Sequence, residues 1–156
     1  MDYHIDWIAA AVTLYASPES GDVFENSGEV TGNQEDVDFL VAFKEAEGVY
    51  RLIFLEAKGY TPWGNAQMRS KAERMKFILG ENGDKYEGVM PYFCLVSSGQ
   101  PKRLDYANWP EWWLKSDGAP YWLHLKLPDN RLMVTRWDAE VGVSSQGGKH
   151  FRIVDA

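Results

Sequence analysis

Two carboxylates and an ammonium are set by the sequence to converge. Asp38 lies near the head of the apolar run Glu35-Asp36-Val37-Asp38-Phe39-Leu40-Val41-Ala42-Phe43, and Glu56 and Lys58 close a second apolar run that begins at Val49. Opposed carboxylates repel each other unless something positive sits between them. Hard oxygen donors suit Mg²⁺, which takes one or two carboxylates and fills its other positions with water and phosphate oxygens. A lysine beside such a pair can orient or deprotonate an attacking water, or offset the negative charge on a reacting phosphate.

Bringing the three together requires a β-hairpin. Both runs are short and rich in strand-favouring residues, and Lys44-Glu45-Ala46-Glu47-Gly48 supplies the turn. A three-residue loop Ala46-Glu47-Gly48, closed by Gly48 in the left-handed conformation, pairs Glu45 with Val49. Counting outward, that loop pairs Asp38 with Glu56. Directly opposed residues hold their Cβ atoms about 4.5–5.5 Å apart on one face. Glu56 and Lys58, two positions apart, share that face. Asp36 has the same parity as Asp38, and the loop count sets it opposite Lys58.

An Asp heading one apolar strand and a Glu-x-Lys ending the next resembles the PD-(D/E)XK nuclease superfamily, the restriction-endonuclease-like fold. Glu35-Asp36-Val37-Asp38 followed by Ile53-Phe54-Leu55-Glu56-Ala57-Lys58 is similar to the E-x-D … I-E-x-K core of small archaeal and bacterial members. The resemblance covers about residues 3–98. It implies that Asp38 and Glu56 bind Mg²⁺, with Mn²⁺ able to substitute, that the Ala57 carbonyl is a further ligand, and that Lys58 is the catalytic lysine. It implies an αβββαβ core with a mixed central sheet flanked by helices. Two departures stand out. Val37 replaces the proline of the family's name, and the first helical stretch lacks the Glu that many members carry. Asp6, Glu19 and Glu25 are the candidates to replace that acid, and the sequence does not choose among them.

The chain has 156 residues and is nearly half apolar, which suits one compact α/β (α+β) domain spanning 1–156. No run of eighteen apolar residues indicates a membrane span, and Met1-Asp2-Tyr3-His4 lacks the basic start of a signal peptide. The single Cys94, within Tyr92-Phe93-Cys94-Leu95-Val96, reads as a buried strand thiol and fits a reducing cytoplasm. No His has paired ligand spacing for zinc. The net charge of −7 is uneven: residues 1–57 hold twelve acids and two bases, residues 58–156 eleven acids and fourteen bases. The basic excess begins at Lys58, where phosphate would bind.

Helical spacing of Ile5, Ile8, Ala9, Val12 and Tyr15 or Ala16 predicts a helix over 3–16, stopped by Pro18, with His4 at the surface or capping. An edge strand is expected around Val23-Phe24-Glu25, with a turn at Asn26-Ser27-Gly28. A second helix over 65–79 buries Met68, Ala72, Met75 and Leu79 and ends at Gly80. Its exposed flanks carry Arg69, Lys71, Arg74 and Lys76, read either as a solvated face or as nucleic-acid contacts. In the family this helix supports the site, and Gln67 loosely resembles the family's supporting glutamine. Trp63 is placed either to stack on a base or to pack over the helix start. A buried strand follows over 88–98.

Residues 104–156 form a Trp-rich extension. Trp109, Trp112, Trp113 and Trp122 seal a core or a subunit contact, or stack on bases or sugars. A second hairpin is expected between 121–127 and 131–137 around Pro128-Asp129-Asn130, with Leu123, Leu125 and Leu127 inward, followed by a last strand over 149–154. The leading expectation is a Mg²⁺-dependent nuclease on nucleic acid, DNA before RNA, with homodimerisation permitted by the exposed aromatics and Asp36, Gln67, Arg69, Lys71 and Arg74 in support. The alternative is a nucleic-acid or protein-binding module of the same fold without turnover. A third reading makes the Trp-rich half a carbohydrate or protein contact surface.

Overall fold

Two apolar strands joined by a tight turn begin the main sheet, the first arm at its edge and the second inside it. A computed structural model describes residues 3–17, 23–32, 35–59, 61–127, 132–138, 142–144 and 148–155. Pro18, Glu19 and the turn Pro128-Asp129-Asn130 lie outside the described residues. The chain divides into two compact units, Met1–Leu125 and Lys126–Ala156.

The first unit runs β1 (Tyr3–His4), α1 (Ile5–Ala16), β2 (Asp36–Val37), β3 (Phe39–Ala46), β4 (Val49–Lys58), α2 (Asn65–Leu79), β5 (Val89–Ser97) and β6 (Tyr121–His124), with a 3₁₀ turn at Glu111–Trp113 before β6. It is a mixed α/β unit whose central sheet has the order β3-β4-β5-β6. β3 and β4 are antiparallel, while β4–β5 and β5–β6 are parallel. α2 makes the crossover that a parallel β4–β5 pair requires.

The hairpin register is the expected one, reached by a different turn. Ala46 pairs with Val49, so the loop is Glu47-Gly48, with Gly48 at φ +70°, and a bulge between Lys44 and Ala46 takes up the extra residue. Beyond the bulge Lys44 pairs with Tyr50 and Phe39 with Leu55. A bend at Asp38 separates β2 from β3.

Side chains of even number in β3 and β4 and of odd number in β5 form the core face. Phe54, Phe93 and Leu95 there are buried against Ile5, Ile8, Ala9 and Val12 of α1 and against Met68, Ala72, Met75, Ile78 and Leu79 of α2. Both helices therefore pack on the same face of the sheet, whereas the expected sheet flanked by helices has both faces covered. The α1 stripe ends at Val12, since Tyr15 and Ala16 are exposed. His4 is the N-cap and its Nδ1 accepts from the Asp6 N–H at 3.3 Å. The opposite sheet face carries Cys94 buried and Phe43 and Leu123 exposed.

Two expectations are corrected and one is met. No strand forms at Val23–Glu25: Val23 is 82% exposed and has no layer to bury against, and β2 instead pairs with β1 in a small sheet of its own. As expected of rings that seal a core, Trp109, Trp112 and Trp113 belong to the core of the first unit, while Trp122 is only partly buried against it. Trp113 stacks on Phe93 at 3.7 Å and Trp109 and Trp112 are buried beside it, so the rings fill the space over β5. The second hairpin is replaced as well: β6 lies parallel to β5, which leaves Leu123 exposed and not inward.

In the second unit β7 (Leu132–Asp138) lies between β8 (Val143–Ser144) and β9 (His150–Asp155) in an antiparallel three-stranded sheet. Among the described residues no helix is long and apolar enough to cross a membrane.

Candidate active site

Glu56 is the centre of the candidate site because strand parity turns it into the core while its neighbours reach the surface. It lies two residues beyond Phe54 on the core face and is 3% exposed. Asp38 and Glu56 are the next positions outward from the Phe39–Leu55 pair. Asp38 is exposed, and its Oδ2 accepts from the Ala57 N–H at 2.6 Å, which ties the bend to the end of β4. Lys58 Nζ stands 3.9 Å from Glu56 Oε1 and 5.9 Å from the centre of the Trp63 ring. Asp38, Glu56 and Lys58 thus do meet at one end of the hairpin. Trp63 packs half-buried against the core.

The partner that sequence reading placed elsewhere is Lys71. Expected on an exposed flank of α2, it is 2% exposed, and its Nζ donates to Glu56 Oε2 and to the Asp36 carbonyl, each at 2.5 Å. The signal was present in the spacing. Lys71 follows Met68 by three and precedes Met75 by four, so it belongs to the buried stripe. Burial pushes the Glu56 carboxyl above its ordinary range. The charge and hydrogen bond of Lys71 offset part of that push, the charge of Asp38 adds to it, and Lys58 opposes it.

Arg74, one turn further, is likewise drawn inward. Its guanidinium bonds the Asp6 carboxylate, the Glu29 carbonyl at 2.6 Å and the Gly28 carbonyl at 3.4 Å. Asp6 also accepts from the N–H groups of Gly32 at 2.8 Å and Thr31 at 3.3 Å. Burial, the largest single influence, raises the Asp6 carboxyl, but those two N–H donors and Arg74 together hold it below the usual value. Asp6 is therefore committed to fastening the 28–32 segment across α1 and α2. Glu25 is exposed on an irregular segment. On α2, Gln67 and Arg69 are exposed and Lys76 pairs with Glu81 at 2.7 Å.

Among the described residues no cluster of three or more His, Cys, Asp or Glu side chains gathers to hold a metal. The pair Asp38 and Glu56 nevertheless fits a hard divalent ion. Among the described residues, each carboxylate has one oxygen held by a protein donor and the other without a protein hydrogen bond, and Mg²⁺ needs no more than two carboxylates. Cys94 is buried in β5 with its thiol pushed up by burial, away from nucleophilic use. Comparison with family models, with curated proteins and with solved structures found no match.

Proposed function

We propose that the protein is a metal-dependent nuclease of the PD-(D/E)XK type, with Asp38 and Glu56 as carboxylate ligands, the Ala57 carbonyl as a third donor and Lys58 as catalytic lysine. One observation carries the reading: Lys58 Nζ lies 3.9 Å from a buried Glu56 whose carboxyl also feels the charge of Asp38, held at the adjoining Ala57 N–H. Mg²⁺ bound there would supply Lewis-acid charge to a phosphodiester. Lys71 fixes Glu56 from the protein side and turns its second oxygen toward Lys58. Lys58 then orients the attacking water and offsets charge on the phosphate. Asp36 supports the site by its carbonyl bond to Lys71.

The Lys71–Glu56 pair also favours a second reading, a nucleic-acid or protein-binding module in which an internal ammonium already neutralises the acid. Incubation of supercoiled and single-stranded DNA, and of RNA, with Mg²⁺ or Mn²⁺ separates the two. Wild-type cleavage that is lost in Lys58→Ala and Glu56→Gln supports the nuclease. Equal cleavage by wild type and both variants would refute it, and no cleavage by any of them leaves the binding module.

A further inference from the structure

We propose that single-stranded nucleic acid lies along a cleft that runs from Lys58 past Lys102 and Arg103 to Trp122. The proposal rests on the nuclease reading and names its substrate class. A cleft of about 420 Å³ opens between the loop after β4 and the loop after β5, with Lys58, Trp63, Lys102 and Arg103 in its walls. A second, of about 340 Å³, adjoins it through Gln100, Pro101 and Lys102 and continues to Tyr106, Lys115 and Trp122. The first lies at the carboxyl ends of the parallel strands β4 and β5, where open α/β sheets hold their ligands.

Charge and ring placement identify the occupant. Four lysines and arginines line the two compartments, and among the described residues no Asp or Glu does, in a chain whose net charge is −7. Lys102 and Arg103 are exposed and make no ion pair among the described residues. Lys115 pairs with Asp117 at 3.3 Å, but both are well exposed, so that pair yields readily to a phosphate. Trp63, Tyr106 and Trp122 place aromatic surface beside these cations. A positive groove with ring faces is the arrangement that tracks an unpaired strand, stacking its bases and neutralising its backbone. Compartments of a few hundred Å³ suit single nucleotides, and a duplex keeps its base faces covered.

The cleft is also built rigidly. Ser98 Oγ donates to the Gly59 carbonyl at 3.0 Å, and Trp122 Nε1 donates to Ser97 Oγ at 3.0 Å. The Asn65 side chain donates to the Arg103 carbonyl at 3.2 Å and accepts from the Asp105 N–H at 2.9 Å. Such fixed walls reduce the ordering cost of binding. The cations of α2 give no equivalent path: Lys71 and Arg74 are spent inside and Lys76 pairs with Glu81, which leaves Arg69.

Fluorescence anisotropy in EDTA, where cleavage is silent, tests this with labelled 12-nucleotide single-stranded DNA and RNA and a duplex of the same length. The single strands bind more tightly than the duplex. Lys102→Ala/Arg103→Ala weakens single-strand binding about tenfold and lowers the slope of log K against log salt by ~1.4, the change expected when two cations no longer meet phosphates. Lys44→Ala, at the turn end of the hairpin and outside both compartments, leaves both unchanged. Circular dichroism checks that the exposed substitutions keep the fold. Equal or tighter duplex binding, an unaltered double variant, or no binding at low salt would overturn the proposal. Groove-dependent binding without metal-dependent cleavage would sink the nuclease reading alone.

Discussion

Lys71→Met keeps a long apolar stem in place and removes only the ammonium. In the wild type that ammonium touches Glu56 and the Asp36 carbonyl, and both members of the ion pair are buried. Removing one partner of a buried pair costs about 3–5 kcal/mol, because the other charge is left uncompensated. Against a typical domain stability of about 5–15 kcal/mol this is a large fraction. The loss must also depend on pH. Burial already holds the Glu56 carboxyl above its ordinary range, and without Lys71 two influences that lower it are gone. A folded carboxyl raised above its unfolded value binds more protons in the native state, so stability falls as pH rises between the two values. The slope is at most about 1.4 kcal/mol per pH unit. Wild type and variant lose stability alike up to the wild type's own raised value; the deficit of the variant grows from there toward its still higher value and is constant above it. Urea denaturation followed by tryptophan fluorescence, from pH 4 to 8, measures this directly. Lys71→Met/Glu56→Gln, which buries no charge, recovers most of the loss at pH 7 and has no such pH slope. A single variant within about 0.5 kcal/mol of wild type at pH 7, with an unchanged profile, would refute the buried pair and the placement of Glu56 with it.

Asp6→Ala strands Arg74 and frees the 28–32 segment, at a cost of about 3 kcal/mol at neutral pH. Because the Asp6 carboxyl is held low, its contribution is fully present above its unfolded value and is lost as pH falls through the folded one, so variant and wild type start to converge in urea melts only below about pH 4 and meet below the folded value. Gly88→Ala is strongly destabilising: Gly88 has φ +75°, and a Cβ there would lie 2.0 Å from the Gly48 carbonyl oxygen. A loss above about 2 kcal/mol is expected by thermal denaturation, whereas Gly99→Ala, with open space around it, changes little. Cys94 resists iodoacetamide in the native protein at pH 8 and reacts on unfolding, as mass spectrometry would register, because its thiol is buried and its pKa raised.

The hairpin was legible because two independent signals agreed. Apolar strand composition fixed the pair, and side-chain parity fixed which residues shared a face. The actual turn differs from the expected one by a residue, yet the bulge at Glu45 restores the count, so Asp38 and Glu56 still meet. The α2 stripe and the Gly80 end were legible for the same reason: Met68, Ala72, Met75 and Leu79 are buried, and the Gly80 N–H bonds the Lys76 carbonyl at 2.8 Å. Partner choice was not legible. The run 121–127 has strand composition, but nothing local states that it will lie beside β5 and not beside β7, because a parallel neighbour contributes no turn signal.

The charged residues of α2 show why the site was read only in part. A lysine in a helix is assigned to solvent because burying an unpaired ammonium is costly. Lys71 breaks that assignment because Glu56, arriving from β4, is itself buried by the parity that follows Phe54. Arg74 repeats the pattern with Asp6 of α1, and each pair joins segments far apart in the chain. Neither burial is visible in one segment alone, since each charge is tolerable only with its distant partner. With both cations spent on internal acids, the basic surface available to phosphate shifts from α2 to Lys58, Lys102 and Arg103, at the carboxyl ends of β4 and β5. In the nuclease proposed above, the charge asymmetry that begins at Lys58 would therefore act through these loops more than through the helix.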